Sequence, residues 1–366
     1  MRERDRFRGC LIGGAAGDAL GYAVEFLREG QIFSRYGAAG IQEYALTGGV
    51  AQISDDTQMT LFTATSLLRA AADGTEDYAG HINSAYLDWL KTQEMRRLPP
   101  RGKSDSWLMN VSGLYSPRAP GNTCLAALRA GGGGTPEQPI NESKGCGGVM
   151  RVAPIGLYFN DRQKDIRSIC RLGAEAAALT HGHTLGWLPA AALAQIIHEV
   201  SQDSVPVPDA ALHALTTVED MWPDTPDRRA FASLIRKAVD LSSSAVADLD
   251  AIHRLGEGWV GEEALAIAVF CACRHQGDID GALKAAVNHH GDSDSTGAIA
   301  GNIVGAQVGL EGIPAKYTEK LELRDLIIEV ADDLWQDRPI SGCDGEADDV
   351  WEQKYLHMIY APDEPL

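Results

Sequence analysis

Two stretches of this chain place glycine at every fourth residue. The first holds Gly9, Gly13, Gly17 and Gly21; the second holds Gly297, Gly301, Gly305 and Gly309. In a helix, residues four apart lie along one ridge. A glycine inside a helix costs about 1 kcal/mol relative to alanine, so four in phase need a compensating gain. Bare backbone that lets a second helix approach closely supplies it. The same spacing serves membrane helices, but Asp18, Glu25 and Asn302 in or beside the stripes argue against lipid. The stripes therefore predict two helices at the densely packed centre of the fold, and they are candidates to pack on each other. A flexible glycine-rich loop would not keep an unbroken four-residue phase.

The remaining periodicity is also helical. It predicts helices over 9–24, 57–73, 76–91, 121–130, 166–179, 188–201, 228–243, 262–275, 279–287, 295–309 and 321–335. Runs of alternating Val, Ile and Thr are few. Glycine- and proline-rich gaps separate the helices, the longer ones over 92–120, 131–150 and 202–227. The expected architecture is all-α, a single domain over residues 1–366 with surface-loop insertions near 92–120 and 202–260.

With 45% hydrophobic and 23% charged residues, the 366-residue chain can build a core and is not generally disordered. No run of about 18 apolar residues occurs, so no membrane-spanning helix is expected. The charged start, Met1 to Arg8, lacks an apolar signal core, which points to the cytoplasm. A net charge of −19 would repel phosphate backbones, so nucleic acid is not an expected partner. The seven cysteines, at 10, 124, 146, 170, 271, 273 and 343, are odd in number, and Cys271-x-Cys273 is not a zinc-knuckle spacing. Free thiols in a reducing compartment are expected.

Chemistry concentrates in two acidic motifs, Ser54-Asp55-Asp56-Thr57 and Gly291-Asp292-Ser293-Asp294-Ser295. Each precedes or opens a predicted helix, where Asp and Ser commonly cap free N–H groups. Capping needs one oxygen, whereas here four carboxylates and several hydroxyls gather in two places. If the motifs meet, the carboxylates cannot all ionise unaided. Two divalent cations would cancel their charge, and an all-oxygen donor set selects hard ions such as Mg²⁺ or Mn²⁺. Ser143-Lys144-Gly145-Cys146-Gly147-Gly148 can turn successive backbone N–H groups one way as an anion nest. It lacks the preceding strand and the Gly-Lys-Ser/Thr of nucleotide loops. Thr180-His181-Gly182-His183 has no matching cysteines or second histidine pair that would make a zinc site. Trp187 and Tyr115 are candidates to stack on a base or simply to pack, and Arg151 reads as a buried structural cation.

Five motifs stand in an order that resembles the ADP-ribosylglycohydrolase family, also called the ADP-ribosyl-acceptor hydrolase or dinitrogenase-reductase-activating glycohydrolase family. They are Gly13-Gly14-Ala15-Ala16-Gly17-Asp18-Ala19-Leu20-Gly21, Ser54 to Thr57, Gly145 to Pro154, Thr180-His181 and Gly291 to Ser295. The likeness runs from about residue 7 to 310. It implies an all-α, orthogonal multi-helix fold with a binuclear Mg²⁺ or Mn²⁺ centre. By resemblance, the metal ligands are Ser54, Asp55, Asp56, Asp292, Asp294 and Ser295. Serine at 54 and 295 replaces the threonine of many relatives and keeps the oxygen. Glu25 matches a family glutamate beside the metals, and Asp55, Asp56 and Glu25 are the candidates to relay a proton. Ser143, Gly145, Cys146, Gly147 and Gly148 correspond to the loop that cradles pyrophosphate, with Cys146 where asparagine is common. His181 is implied to lie beside the substrate.

The implied reaction is metal-dependent hydrolytic removal of ADP-ribose from a modified protein side chain. Arginine is favoured because the Gly-Cys-Gly-Gly-Val-Met-Arg form is closer to bacterial-type members. Serine or another conjugate is the alternative, and an ADP-ribosylating toxin or regulator is the implied counterpart. A non-catalytic ADP-ribose or partner-binding protein, a lens-type structural protein and a metal phosphohydrolase are other readings. The four retained aspartates weigh against the non-catalytic ones.

Overall fold

The computed structural model describes residues 3–95, 102–159, 165–336, 349–356 and 359–360. In chain order its helices are α1 (Glu3–Tyr22), α2 (Glu29–Tyr36), α3 (Asp55–Ala72), α4 (Tyr78–Glu94), α5 (Asn122–Arg129) and α6 (Ala153–Tyr158). There follow α7 (Ile166–Ala178), α8 (Thr184–His198), α9 (Val207–Met221), α10 (Pro226–Ser242) and α11 (Asp248–Leu255). The last are α12 (Gly261–Arg274), α13 (Ile279–Val287), α14 (Ser293–Val308), α15 (Arg324–Gln336) and α16 (Asp349–Tyr355). The fold is all-α; among the described residues the only paired strands are two-residue pieces, Gly102–Lys103 against Ile359–Tyr360. Asp or Thr side chains start many helices by accepting a free N–H: Asp77 for α4, Asp165 for α7, Thr225 for α10 and Asp278 for α13.

The stretch 202–260, expected as a loop insertion around one helix over 228–243, carries that helix as α10 and two more, α9 and α11. Pro206 and Pro208 around the start of α9 read as a loop, yet proline is tolerated in a first helical turn. The apolar face of α9, Val207, Ala210, Ala211, Ala214, Leu215 and Val218, is buried at helical spacing. The short helices α2 and α6 also fall outside the predicted set. In the 92–120 stretch, α4 runs on to Glu94 and residues 96–101 lie outside the described set; beyond the Gly102–Lys103 strand, the rest is irregular apart from single 3₁₀ turns at Trp107–Asn110 and Ser112–Leu114. The six described cysteines are free; Cys343 lies outside the described residues. No helix among the described residues is long and apolar enough to cross a membrane.

Apolar side chains from most elements join one hydrophobic cluster. Helices α3, α8, α12 and α14 bury almost every residue, so they form the inner layer. Helices α10 and α11 bury only one face.

The two glycine stripes pack on each other, antiparallel, as α1 against α14. A Cβ on Gly9, Gly13 or Gly17 would come within 3.0 Å of the backbone oxygen of Gly305, Gly301 or Gly297 respectively, and the reverse clashes are equally severe. No side chain fits there. Gly309 has a different reason: it ends α14 at φ +71°, a region that favours glycine. A Cβ on Gly21 would strike the Ser293 backbone, so the end of α1 is held against the start of α14.

Candidate active site

Helix α1 also organises the first acidic motif. Its buried Asp18 carboxylate accepts the Ser54 N–H at 3.0 Å on each oxygen, the Thr57 N–H at 3.1 Å and the Thr57 hydroxyl. The N-terminus of α3 is thereby pinned to the same helix whose glycines hold α14. Thus one helix brings together two acidic motifs that lie at opposite ends of the chain. Burial raises Asp18 to about 6, although the bonds from Thr57 and Ser54 oppose the shift.

The motifs meet in a cavity of about 410 Å³, within the range of small-ligand clefts. Its lining includes Glu25, Asp55, Asp56, Asp292, Asp294 and Ser295 together with Gly145, Cys146, Gly147 and His181. One carboxylate oxygen each from Glu25, Asp292 and Asp294 lies within 4.8 Å of the others. Asp55 accepts the Gly121 N–H at 3.0 Å. Asp292 caps α14 and accepts from the Ser295 N–H at 3.4 Å and from the Cys146 thiol at 2.6 Å. Burial pushes that thiol well above its ordinary range, which keeps it a donor.

Crowding shows in the protonation chemistry. Burial, then the charges of Asp292 and Asp55, push Glu25 up to about 9. Burial pushes Asp55 to about 8 against the Gly121 bond, and burial with neighbouring carboxylates raises Asp56 and Asp294 as well. Glu25 Oε2 and Asp56 Oδ2 are buried with no hydrogen-bond partner. Orphaned oxygens in a cluster of hard donors, whose mutual repulsion a positive charge would relieve, fit divalent cations.

Three of the metal- and substrate-site residues implied by the resemblance, Ser54, Ser143 and Gly148, stand outside the cavity lining. Ser54 is buried with its hydroxyl accepting the Asp56 N–H at 3.2 Å, a capping bond. Ser143 is bonded to Thr123 at 3.1 Å, and Gly148 is packed so tightly that a Cβ would lie 2.7 Å from the Gly186 oxygen. Trp187 packs on Trp222 and Tyr115 donates to the Met109 carbonyl, both buried away from the cavity. His183 caps α8, so it makes no pair with His181. Arg151 is fully buried: its guanidinium sits 4.2 Å from the Tyr86 ring centroid and donates to Ala176 O and to Thr180 Oγ1. Thr180 Oγ1 lies 2.8 Å from His181 Nδ1. Burial, helped by Arg151, lowers His181 to about 3, so the ring is neutral.

The sequence reading missed several cavity residues. Segment 119–124 forms a wall, and Pro120-Gly121-Asn122 ahead of α5 was the available turn signal. Phe26 and Trp259 stack at the mouth with ring centroids 6.3 Å apart and planes at 21°. They are 71% and 41% exposed, unusual for rings of that size. Nothing in the local patterns marks a pair so distant in sequence. Cys146–Gly148 is a 3₁₀ turn, whose first N–H groups have no acceptor within the turn; that of Cys146 donates to Trp259 O at 3.2 Å.

An all-α fold that gathers acidic helix starts beside a glycine turn presents the oxygen donor set of a divalent-metal site next to a nest of backbone N–H groups. The sequence profile of the ADP-ribosylglycohydrolase family matches residues 1–342, and the chain belongs to that family of hydrolases of ADP-ribose conjugates. It is 26% identical to ADP-ribosylhydrolase ARH3 of Danio rerio, over 90% of this chain and 88% of that protein. It is 27% identical to the ADP-ribosyl-[dinitrogen reductase] glycohydrolase of Rhodospirillum rubrum, over 87% and 91%. A solved ADP-ribosylglycohydrolase-related protein complex shares the fold, with TM-score 0.65 at 24% identity, over 92% of this chain and 98% of that one.

Proposed function

We propose that this chain hydrolyses the N-glycosidic bond between ADP-ribose and an arginine side chain of a modified protein. The observation that carries the reading is the convergence of Glu25, Asp55, Asp56, Asp292 and Asp294 on one cavity beside the Gly145–Gly147 turn. Asp55, Asp56, Asp292, Asp294 and Ser295 would hold two divalent cations, Mg²⁺ first and Mn²⁺ second. Bound there, the ions supply Lewis-acid polarisation and charge neutralisation. Ser54 serves this set by capping α3.

The remaining roles fall to the chain's own groups. The Gly147 N–H of the Cys146–Gly148 turn holds the pyrophosphate, that of Cys146 being taken up by Trp259 O. A hydroxyl proton directed from Thr180 to His181 Nδ1 leaves Nε2 carrying hydrogen, a neutral donor toward the ligand. Ser143 and Gly148 support the turn from behind. The acceptor guanidinium sits at the mouth, between Glu25 and the Phe26–Trp259 pair, where a delocalised cation stacks well on aromatic rings. Water attacks the anomeric carbon as the C–N bond breaks, and charge builds up on an oxocarbenium-like carbon. Glu25, held protonated by burial and its acidic neighbours, gives its proton to the departing guanidine nitrogen and takes one back from the attacking water; its place next to Phe26 at the rim favours it over Asp55 and Asp56. An ADP-ribosylating toxin or regulator would supply the substrate, in the cytoplasm.

The deciding experiment presents arginine-, serine- and nucleotide-linked ADP-ribose with Mg²⁺ and with EDTA. Release of free ADP-ribose from the arginine conjugate, lost with EDTA and in Asp55→Asn and Asp294→Asn, is expected. Selective turnover of the serine conjugate would reassign the acceptor. Binding without turnover would make the chain a reader.

A further inference from the structure

A second cluster of metal-binding type lies outside the acidic cavity and contains imidazole. Glu29 opens α2, His253 belongs to α11, and His290 stands in the loop before Asp292. His290 Nδ1 lies 2.6 Å from Glu29 Oε1, and His253 Nε2 contacts the same oxygen. One donor atom from each of the three lies within 4.8 Å of the others, a spread that small side-chain rotations bring to the roughly 3.3 Å between two ligands of one tetrahedral zinc ion. The other ring nitrogen of His290, Nε2, faces Glu257 Oε1 at 3.4 Å. A carboxylate on the far nitrogen is the usual partner of a metal-ligating histidine, because it fixes the tautomer. The three side chains are 24% to 43% exposed, so an ion has access from solvent.

We propose that Glu29, His253 and His290 form a second metal site, for a borderline first-row ion of which Zn²⁺ is the representative, with Glu257 as outer support and water in the fourth position. Two imidazoles and one carboxylate favour such an ion over Mg²⁺, whereas the cavity donors are oxygens. Glu29 is three residues beyond Phe26 and four beyond Glu25. The ion therefore ties the α1–α2 turn, which carries both, to α11 and to the loop leading into Asp292. The site is built from three segments, which a local sequence pattern cannot announce.

Zn²⁺ titration of the full chain in excess Mg²⁺ tests this independently of any turnover. One saturable Zn²⁺ equivalent is expected, with tetrahedral visible absorption when Co²⁺ is the probe. His253→Gln and His290→Asn each abolish it; Glu257→Gln weakens it by about 10- to 100-fold. Asp294→Asn, in the other cluster, retains it. Amides of residues 23–28 exchange more slowly with Zn²⁺ bound. Circular dichroism checks each variant, and Glu29→Gln carries the same expectation should a histidine variant fail to fold. No Zn²⁺ uptake, uptake that survives both histidine substitutions, or uptake lost in Asp294→Asn overturns the proposal. Glu29 is then only the shared ion-pair partner of two imidazolium rings.

Discussion

The α1–α14 interface and the α9–α11 layer are both helix packings, but they are made of different matter. Between α1 and α14 the backbones themselves touch through glycine. In α9–α11 interdigitating side chains such as Leu215, Phe231, Ile235 and Ile252 fill the space between helices. Side chains repack after a change of volume, whereas a carbonyl in a helix has nowhere to go. The first interface also bears directly on the cavity, since it sets the distance between Glu25 and the start of α14. The second shapes only the surroundings.

This contrast is broken most sharply at Gly301. Gly301→Leu forces a side chain into the Gly13 backbone and is expected to prevent folding, read as loss of the cooperative thermal transition. An Ile235→Leu change in α10 should keep that transition within a few degrees; equal outcomes would dissolve the distinction. Next in size is Asp18→Ala, which strands the buried N–H groups of Ser54 and Thr57. Roughly 2–4 kcal/mol of stability is expected to go, measured by chemical denaturation, together with metal-dependent turnover.

A smaller effect belongs to the outer edge of α1. Asp332 on α15 accepts paired bonds from Arg4 and Arg8. Burial alone would raise this carboxyl, but the two guanidinium groups outweigh it and bring it down to about 2. A depressed folded value means the contribution is present above the ordinary 3.8 and is lost as pH falls from there toward 2. Acid titration of stability should show that loss, about 1 kcal/mol, and Asp332→Asn should flatten it. The smallest effect is Arg236→Ala in α10, which removes an ion pair to Glu219 between half-exposed side chains. A change under about 0.5 kcal/mol is expected by the same denaturation assay.

Much of the fold was legible because glycine in a helix is unfavourable unless something close requires its absence of side chain. The stripes could thus be read as close-packing helices, candidates to touch each other, and the acidic motifs as hard donors, while their joining in one centre was implied by the family resemblance. Helix α9 was not legible because Pro206 and Pro208 imitate a loop start, and α2 and α11 are too short for periodicity to stand out. Ser143, Gly148 and Ser54 sit one layer behind the cavity: a motif names a stretch of chain, and backbone geometry chooses which of its residues face inward. Phe26, Trp259 and segment 119–124 went unnoticed since their partners are remote in sequence.

Spacing and residue chemistry were enough to specify the all-α class, two glycine-striped helices suited to close packing and two hard-donor acidic motifs, since each is a property of neighbouring residues. Asp18 as the clamp on α3, the aromatic pair at the mouth, and the meeting of Glu29, His253 and His290 arise only when distant segments are packed. Their energies depend on burial and on the close approach of groups remote in sequence, and no local pattern encodes either.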